Sequence, residues 1–504
     1  MPFSPGSIAA SGAARTLCRR LGQPARASNP AAARTQTRSW TSMPRSGDDT
    51  TDPPQNQDAS RPNHPARLSL IQRHLRPVLP INTPFTVERL PDTIATSLLP
   101  RSVSRRLLSI LSPNMSSSSS SQPPHATLLI PGPIEFDDAV LNAMSHYSES
   151  HVGPAFVRTF GETLSMLRKL FQTSDPAAQP FVLSGSGTLG WDLVAANIVE
   201  PGDEVLVLGT GYFSDGFADC LRVYGANVTE LRAPVGTRPK PDEIEAALKE
   251  KKFKAVTVTH VDTSTGVLSD LPTVSSLVRR VSPDTLVVVD GVCSVACEEI
   301  DFDAWGLDAV VTASQKAIGC PAGLSISMFS ARAMHAFRSR QSPPGAYFAS
   351  MANWTPIMQN YEAFKPSYFA TPSPQLVRAL HTALTQILAK PLADRFALHR
   401  AASNRVKRAV AALGLKQVAA HPDEQAHGMT AIYLPDGVTP ADVLPRLASR
   451  GVVFAGGIHK EIASKYIRLG HMGVSATDPD RGDLERAILA LEESLAECGY
   501  KKPE

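Results

Sequence analysis

No apolar run in the 504 residues approaches the roughly 20 residues that a membrane-crossing helix requires. Cysteine is scarce: Cys18, Cys220, Cys293, Cys297, Cys320 and Cys498 are all there is, with no CxxC pair among them. That spacing excludes the usual zinc-binding and secreted disulfide patterns, so no metal centre is expected and the thiols read as reduced, in an intracellular compartment. Acids are missing from the first 47 residues, and lysine from the first 114. Those 114 residues hold fifteen arginines against six acids, so the net charge of +3 hides a body of 390 residues carrying −6. A mildly acidic body argues against nucleic acid as the main partner.

Seven arginines with many Ala and Ser in residues 1–47 have the character of a mitochondrial transit peptide, "AARTLCRRLGQPARAS" coiling into a basic amphipathic helix. Met115, in "LSPNMSSSSSSQPP", offers a later start that gives a cytoplasmic protein without that leader. The C-terminal "KKPE" is not a peroxisomal address. Residues 48–124, rich in Pro and Ser, read as disordered.

From about residue 126 short β-rich runs alternate with helical stretches. The strands are "PFVLS" (180–184), "EVLVLG" (204–209), "KAVTVTH" (254–260), "TLVVVD" (285–290), "AVVTAS" (309–314) and "GLSISMF" (323–329), with helices such as 242–252 and 272–281 between them. Continuous apolar strands separated by helices predict a mostly parallel α/β sheet covered on both faces. This large unit is assigned residues 125–375, and a smaller α+β unit 376–504, with long helices and then strands at 428–435, 451–457 and 466–473.

Three features carry the chemistry. "SGSGTLG" after a strand places Gly185, Gly187 and Gly190 in G-x-G-x-x-G spacing; bare amides opening a helix hold a phosphate, whether of NAD or another cofactor, or the loop is simply a tight turn. A nicotinamide site also needs an acid closing the next strand, and "LVLGTGYF" has none. Asp290 closes the most apolar strand, and Lys316 follows the next one with no carboxylate within seven residues on either side. Singly, such an Asp caps a helix and such a Lys snorkels to solvent. At successive strand ends of an open α/β sheet, beside a phosphate loop, they point to one crevice. A phosphate cradle, a buried acid and a buried amine suit pyridoxal phosphate: the desolvated amine forms a Schiff base and the acid keeps the pyridine nitrogen protonated.

The segments "LLIPGP", "VLSGSGTLGWD", "GYFSDGFADCLRVYGA", "TVTHVDTSTGVLSDL", "VVDGVCSVACEE", "TASQKAIGCPAGLSIS", "NYEAFKPSYFATPSPQL" and "GGIHKEIASKYIRLGHMG" carry a wider resemblance. From about 126 to 500 the chain resembles the class V pyridoxal-phosphate aminotransferases, and among them the fungal alanine–glyoxylate branch. The resemblance implies the type I aminotransferase fold, with a seven-stranded, mostly parallel sheet. It makes Lys316 the Schiff-base lysine and Asp290 the partner of the ring nitrogen. Ser186, Gly187, Thr188 and Gln315 become phosphate ligands, Phe213 the ring that stacks on the cofactor, and Thr263 a partner on the ring-hydroxyl side. Tyr368 and Thr371 are implied to reach the neighbouring subunit's phosphate in a homodimer. Arg468 is implied to grip the substrate carboxylate, and Gly132, in the Pro131–Pro133 turn, to line the substrate.

The activity so implied moves an amino group from L-alanine to glyoxylate, giving pyruvate and glycine, with serine a second donor to glyoxylate or pyruvate. The weaker readings are a cysteine desulfurase, which needs a reactive cysteine on a mobile loop, an NAD dehydrogenase, and a non-catalytic scaffold.

Overall fold

The computed structural model describes residues 122–503. The arginine-rich leader, Met115 and nearly all of the Pro/Ser-rich segment expected over 48–124 lie outside the described residues. In chain order the first half contains α1 (Asp138–Met144), α2 (Pro154–Leu170), β1 (Gln179–Ser184), α3 (Thr188–Ile198), β2 (Glu204–Gly209), α4 (Tyr212–Val223), β3 (Asn227–Arg232), α5 (Pro241–Glu250) and β4 (Ala255–Thr259). There follow α6 (Leu271–Val281), β5 (Leu286–Asp290), β6 (Ala309–Ala313), β7 (Leu324–Phe329), α7 (Ala331–Arg338), α8 (Met351–Glu362), α9 (Pro374–Ile387) and α10 (Leu392–Ala412). The chain ends with β8 (Met429–Tyr433), α11 (Pro440–Ser449), β9 (Ala455–Gly456), β10 (Tyr466–Gly470), α12 (Val474–Thr477) and α13 (Asp483–Glu497).

Seven strands form one sheet in the order β1-β7-β6-β5-β4-β2-β3, and only β7 runs against the others. Strands β4, β5, β6 and β7 are buried along their whole length, with small polar residues such as Thr257, Ser325 and Ser327 among the apolar ones, as expected when helices cover both faces. The sequence reading missed β3: "NVTELR" is a polar, half-exposed edge strand without the apolar run that marks the others. Helix α6 starts where Asp270 accepts from Thr273 N at 3.1 Å, with Pro272 in its first turn.

The register lines up the carboxyl ends. Ser184 of β1 pairs with Leu324, Ala313 of β6 with the adjacent Ser325, and Asp290 of β5 with Val311 and Thr259. The loops leaving β1, β4, β5 and β6 therefore emerge along one edge of the sheet.

A second, smaller core gathers α10, α11 and α13 around an antiparallel sheet ordered β8-β10-β9. Its limits differ from the expected boundary after residue 375. Pro391 divides the long helical stretch, and the half before it, α9, buries Val377, Leu380 and Leu384 in the large core against α1 and α2. At the other end, Thr127–Leu128 pair in parallel with Val452–Val453, and Leu129 sits in the small core. The start of the described chain thus crosses the small unit before entering the large one.

Candidate active site

The crossing segment places the site. Thr127–Leu129 follows Val452–Val453, and Gly470 N donates to Leu129 O at 2.7 Å. A Cβ on Gly470 would collide with the Ile130 carbonyl, so β10 and this segment lie backbone to backbone. The next turn, Pro131–Pro133, is set against Lys316, whose Nζ donates to the Pro131 carbonyl. Gly132 has φ +104°, and a Cβ there would stand 2.7 Å from the Lys316 Nζ. Only glycine satisfies both the left-handed backbone and the contact.

Lys316 itself is 8% exposed. Burial lowers its pKa, and the nearby Arg468 guanidinium adds to that effect against the attraction of Cys293 and Asp290. The result favours a neutral, nucleophilic amine. Asp290, 2% exposed at the end of β5, accepts from Trp191 Nε1 at 3.0 Å and from Val292 N at 2.9 Å. Desolvation pushes its pKa up to about 6 despite those donors. Trp191 is held for this task by stacking on Phe217, with centroids 5.3 Å apart and planes at 10°.

Ser186 and Thr188 stand exposed at the opening of α3 while Gly187 between them is buried. A Cβ on Gly187 would come within 2.9 Å of Val292 Cγ2, which ties the glycine turn to the loop after Asp290. Gly190 serves packing: a Cβ there would lie 2.8 Å from that of Val311 in β6. Gln315 carries a buried Oε1 with no partner among the described residues.

Phe213 sits in the first turn of α4, edge-on to Trp191 at 6.4 Å. Asp262 and Ser264 fix that turn: Tyr212 N donates to Ser264 Oγ at 2.9 Å, and Ser264 Oγ donates to Asp262 Oδ1 at 2.6 Å. Thr263 between them is buried, and its carbonyl accepts from Arg468 Nη1 at 3.2 Å. Arg468 also donates from Nε to Gly456 O at 2.8 Å, and no carboxylate among the described residues pairs with it. Its fork is therefore held by carbonyls and free to bind a carboxylate ligand.

Lys316, Asp290, Gly132, the glycine turn, Gln315, Phe213, Thr263 and Arg468 thus gather at one end of the sheet. Tyr368 and Thr371 do not join them. They lie exposed between α8 and α9, Tyr368 at 62%, and the Tyr368 ring lies 5.0 Å from that of His151. The sequence reading missed Trp191, which looks like a core aromatic, the Asp262–Ser264 support of α4, and the Pro131 carbonyl, which no side-chain pattern reveals.

The donor set fits pyridoxal phosphate. Exposed hydroxyls and amides at a helix N-terminus suit its phosphate. A buried acid with no cation beyond Lys316 suits the protonated ring nitrogen, and a desolvated amine suits its aldehyde. The strand order decides against a dinucleotide site: β1 is an edge strand whose one neighbour, β7, is antiparallel, so the glycine turn has no parallel β2 beside it as a βαβ fold requires. Three of the five described thiols fail the desulfurase requirement as well. Cys293, Cys297 and Cys320 are buried, and desolvation raises all three, Cys320 to about 12. Among the described residues no group of His, Cys, Asp and Glu is placed to hold a metal, and no helix is long and apolar enough to cross a membrane.

The sheet, the crossing segment and the lysine at a strand end define a type I fold pyridoxal-phosphate enzyme. Residues 131–473 match the family model described as aminotransferase class-V, and the chain belongs to that family. It is 50% identical over 359 residues to alanine–glyoxylate aminotransferase 1 of Saccharomyces cerevisiae, covering 69% of this chain and 92% of that protein. To serine–glyoxylate aminotransferase of Hyphomicrobium methylovorum the identity is 32%, over 74% of this chain and 90% of that one. Among solved structures, alanine–glyoxylate aminotransferase of Nostoc sp. superposes with a TM-score of 0.69 at 30% identity, covering 74% of this chain and 96% of that one. The chain is a transaminase that uses pyridoxal phosphate.

Asp290 allows a direct check on the cofactor-free protein. Its pKa, raised from 3.8 to about 6, means that the folded state holds this proton more tightly than the unfolded chain does. Its contribution to stability is therefore fully present below pH 3.8 and lost as pH rises through about 6. The stability of the parent relative to Asp290→Asn, measured by urea unfolding, should fall by on the order of 3 kcal/mol between pH 4 and 7 and then level off. A difference that stays flat with pH would show that the acid is not desolvated.

Proposed function

We propose that the protein transfers the amino group of L-alanine to glyoxylate, yielding pyruvate and glycine. The observation that carries this reading is the 50% identity to the yeast alanine–glyoxylate enzyme across 92% of that enzyme's length. The site's geometry is compatible with small substrates, because the Pro131–Gly132 backbone closes directly on Lys316.

Bound pyridoxal phosphate supplies an electron-poor ring that stabilises the negative charge left at the substrate Cα when its proton departs. This chain's residues do the rest. Ser186, Gly187, Thr188 and Gln315 would hold the phosphate, Phe213 would cover the ring, and Thr263 would bind on the ring-hydroxyl side. Asp290, oriented by Trp191 and Val292 N, would hold the proton of the ring nitrogen. Arg468 grips the substrate carboxylate two-to-two, which fixes the Cα–H toward Lys316. The neutral Lys316 Nζ then takes that proton, and the Pro131 carbonyl steadies the amine.

The full-length protein loaded with the cofactor should form pyruvate from L-alanine and glyoxylate, and Lys316→Ala should lose at least ~100-fold of that rate. Turnover with serine but not alanine would move the assignment to serine–glyoxylate transfer; Lys316→Ala retaining its rate would remove the lysine from the chemistry.

The exposed Tyr368 and Thr371 fit a homodimer in which each subunit completes the other's phosphate site. A mixed dimer of Lys316→Ala with a Tyr368→Phe/Thr371→Ala chain would then carry one fully intact site. Co-refolding equal amounts of the two weak variants, which makes half of the dimers mixed with one intact site of two, should restore about a quarter of the parent activity, whereas activity no higher than the average of the two variants would show that neither subunit completes the other's site.

The arginine-rich, acid-free residues 1–47 support delivery to mitochondria, where the reaction supplies glycine and removes glyoxylate. A fluorescent reporter carrying residues 1–114 should co-localise with mitochondria; a diffuse signal would favour a start at Met115 and a cytoplasmic protein.

A further inference from the structure

One buried cation takes no part in the chemistry above. Arg395 lies near the start of α10, in the helix that opens the small core, yet its guanidinium points into the large unit. Nε donates to Ala296 O at 2.8 Å, and Nη2 donates to Ala317 O at 2.7 Å. Ala317 is the residue after Lys316. Ala296 belongs to the loop that follows Asp290, and it sits in the left-handed region with φ +73°. No carboxylate among the described residues pairs with Arg395, and burial lowers its pKa to about 10. A desolvated guanidinium with carbonyls as its partners is an expensive arrangement for simple scaffolding.

The surroundings explain what it is for. The Lys316 turn is closed at its base by Gly319 N donating to Lys316 O at 2.8 Å and Cys320 N donating to Ser314 O at 3.0 Å. On its far side lies a cavity of about 270 Å³, lined by Ile318, Gly319, Lys390, Arg395 and Gly473 among others. The cavity borders the turn at Ile318 and Gly319, while Ala317 and Cys320 are buried in the large core, so the turn is packed on one side and open on the other. The planar fork of Arg395 spans the gap between the two strand-end loops.

We infer that Arg395 is a positioning residue: bridging the Ala296 and Ala317 carbonyls, it fixes the spacing between the loop after Asp290 and the turn bearing Lys316. The amine and the acid then address one bound ring at the same time, although Arg395 touches neither cofactor nor substrate. Because the fork is carried by α10, any shift of the small unit is transmitted to the lysine. The inference rests on reading Lys316 as the cofactor-bearing lysine.

Two full-length variants test it. Arg395→Lys keeps the charge but has no fork with which to reach both carbonyls, and Arg395→Met keeps much of the volume. In the cofactor-free proteins, hydrogen–deuterium exchange of peptides spanning 291–298 and 314–320 should quicken about tenfold, while peptides of β4 and β7 keep the parent rate. In the loaded enzymes kcat should fall between about 10- and 100-fold, with KM for alanine within about twofold because Arg468 is untouched. The pH midpoint of the visible absorption band should also move in both variants. Unchanged exchange in the two peptides, or exchange quickened equally throughout the fold, would overturn the inference. So would a kcat at the parent value. Borohydride reduction of the loaded parent followed by peptide mapping judges the lysine separately: a cofactor label found away from Lys316 defeats that reading, while the exchange result on cofactor-free protein stands on its own.

Discussion

Everything in this fold is arranged around charges that are taken out of water without being neutralised. Lys316, Asp290 and Arg468 face one another across the site, and among the described residues no one of them forms a close ion pair. Leaving an ionisable group in that condition costs several kcal/mol, and a protein ordinarily avoids it by pairing or by changing protonation state. Here both escapes are visible in part: the amine is pushed toward neutrality and the carboxyl toward retaining a proton. Pyridoxal phosphate is the complement of that deficit. Its aldehyde would remove the amine's need for charge, its ring nitrogen would give the acid a proton to hold, and a substrate carboxylate would satisfy the arginine.

The rest of the architecture makes such an arrangement stable. Four fully buried strands supply a rigid edge from which the loops depart in register. Against that edge comes a backbone segment, Leu129–Pro133, already committed to the small core through its pairing with Val452–Val453. The lysine's polar contact is therefore a main-chain carbonyl, not a carboxylate. A carboxylate there would hold the amine charged and suppress its nucleophilicity; a carbonyl orients it without doing so.

What the sequence disclosed and what it concealed divide along physical lines. Lys316 and Asp290 were legible because charged residues at the ends of apolar strands break a strong pattern, and six strands of the large sheet were legible for the same reason. Strand β3 was not, since an edge strand with one wet face carries few apolar residues. The division between the cores was misplaced because α9 and α10 form one apolar-periodic stretch in sequence, and only packing shows that Pro391 separates helices of different cores. Trp191 and Asp262 escaped because their roles are to orient other groups. A tryptophan in an apolar helix and an aspartate in a turn have ordinary explanations until their partners are known. Tyr368 and Thr371 were named from resemblance alone, and the single chain places them on the surface.

The glycine turn shows why spacing needs topology before it becomes chemistry. Gly185, Gly187 and Gly190 satisfy a dinucleotide pattern, but in such a site the third glycine lets a helix pack on a parallel strand pair at the nucleotide. In this fold Gly190 packs α3 onto β6, a strand that follows more than a hundred residues later, and β1 is bordered by the antiparallel β7. The same three glycines therefore bring a helix N-terminus beside Val292 and the end of β6, between the acid and the amine. A phosphate held there would leave the rest of the cofactor within reach of Asp290 and Lys316. What distinguishes the cofactor is thus the strand on which the helix is packed, a fact written in contacts between distant residues and not in the motif itself.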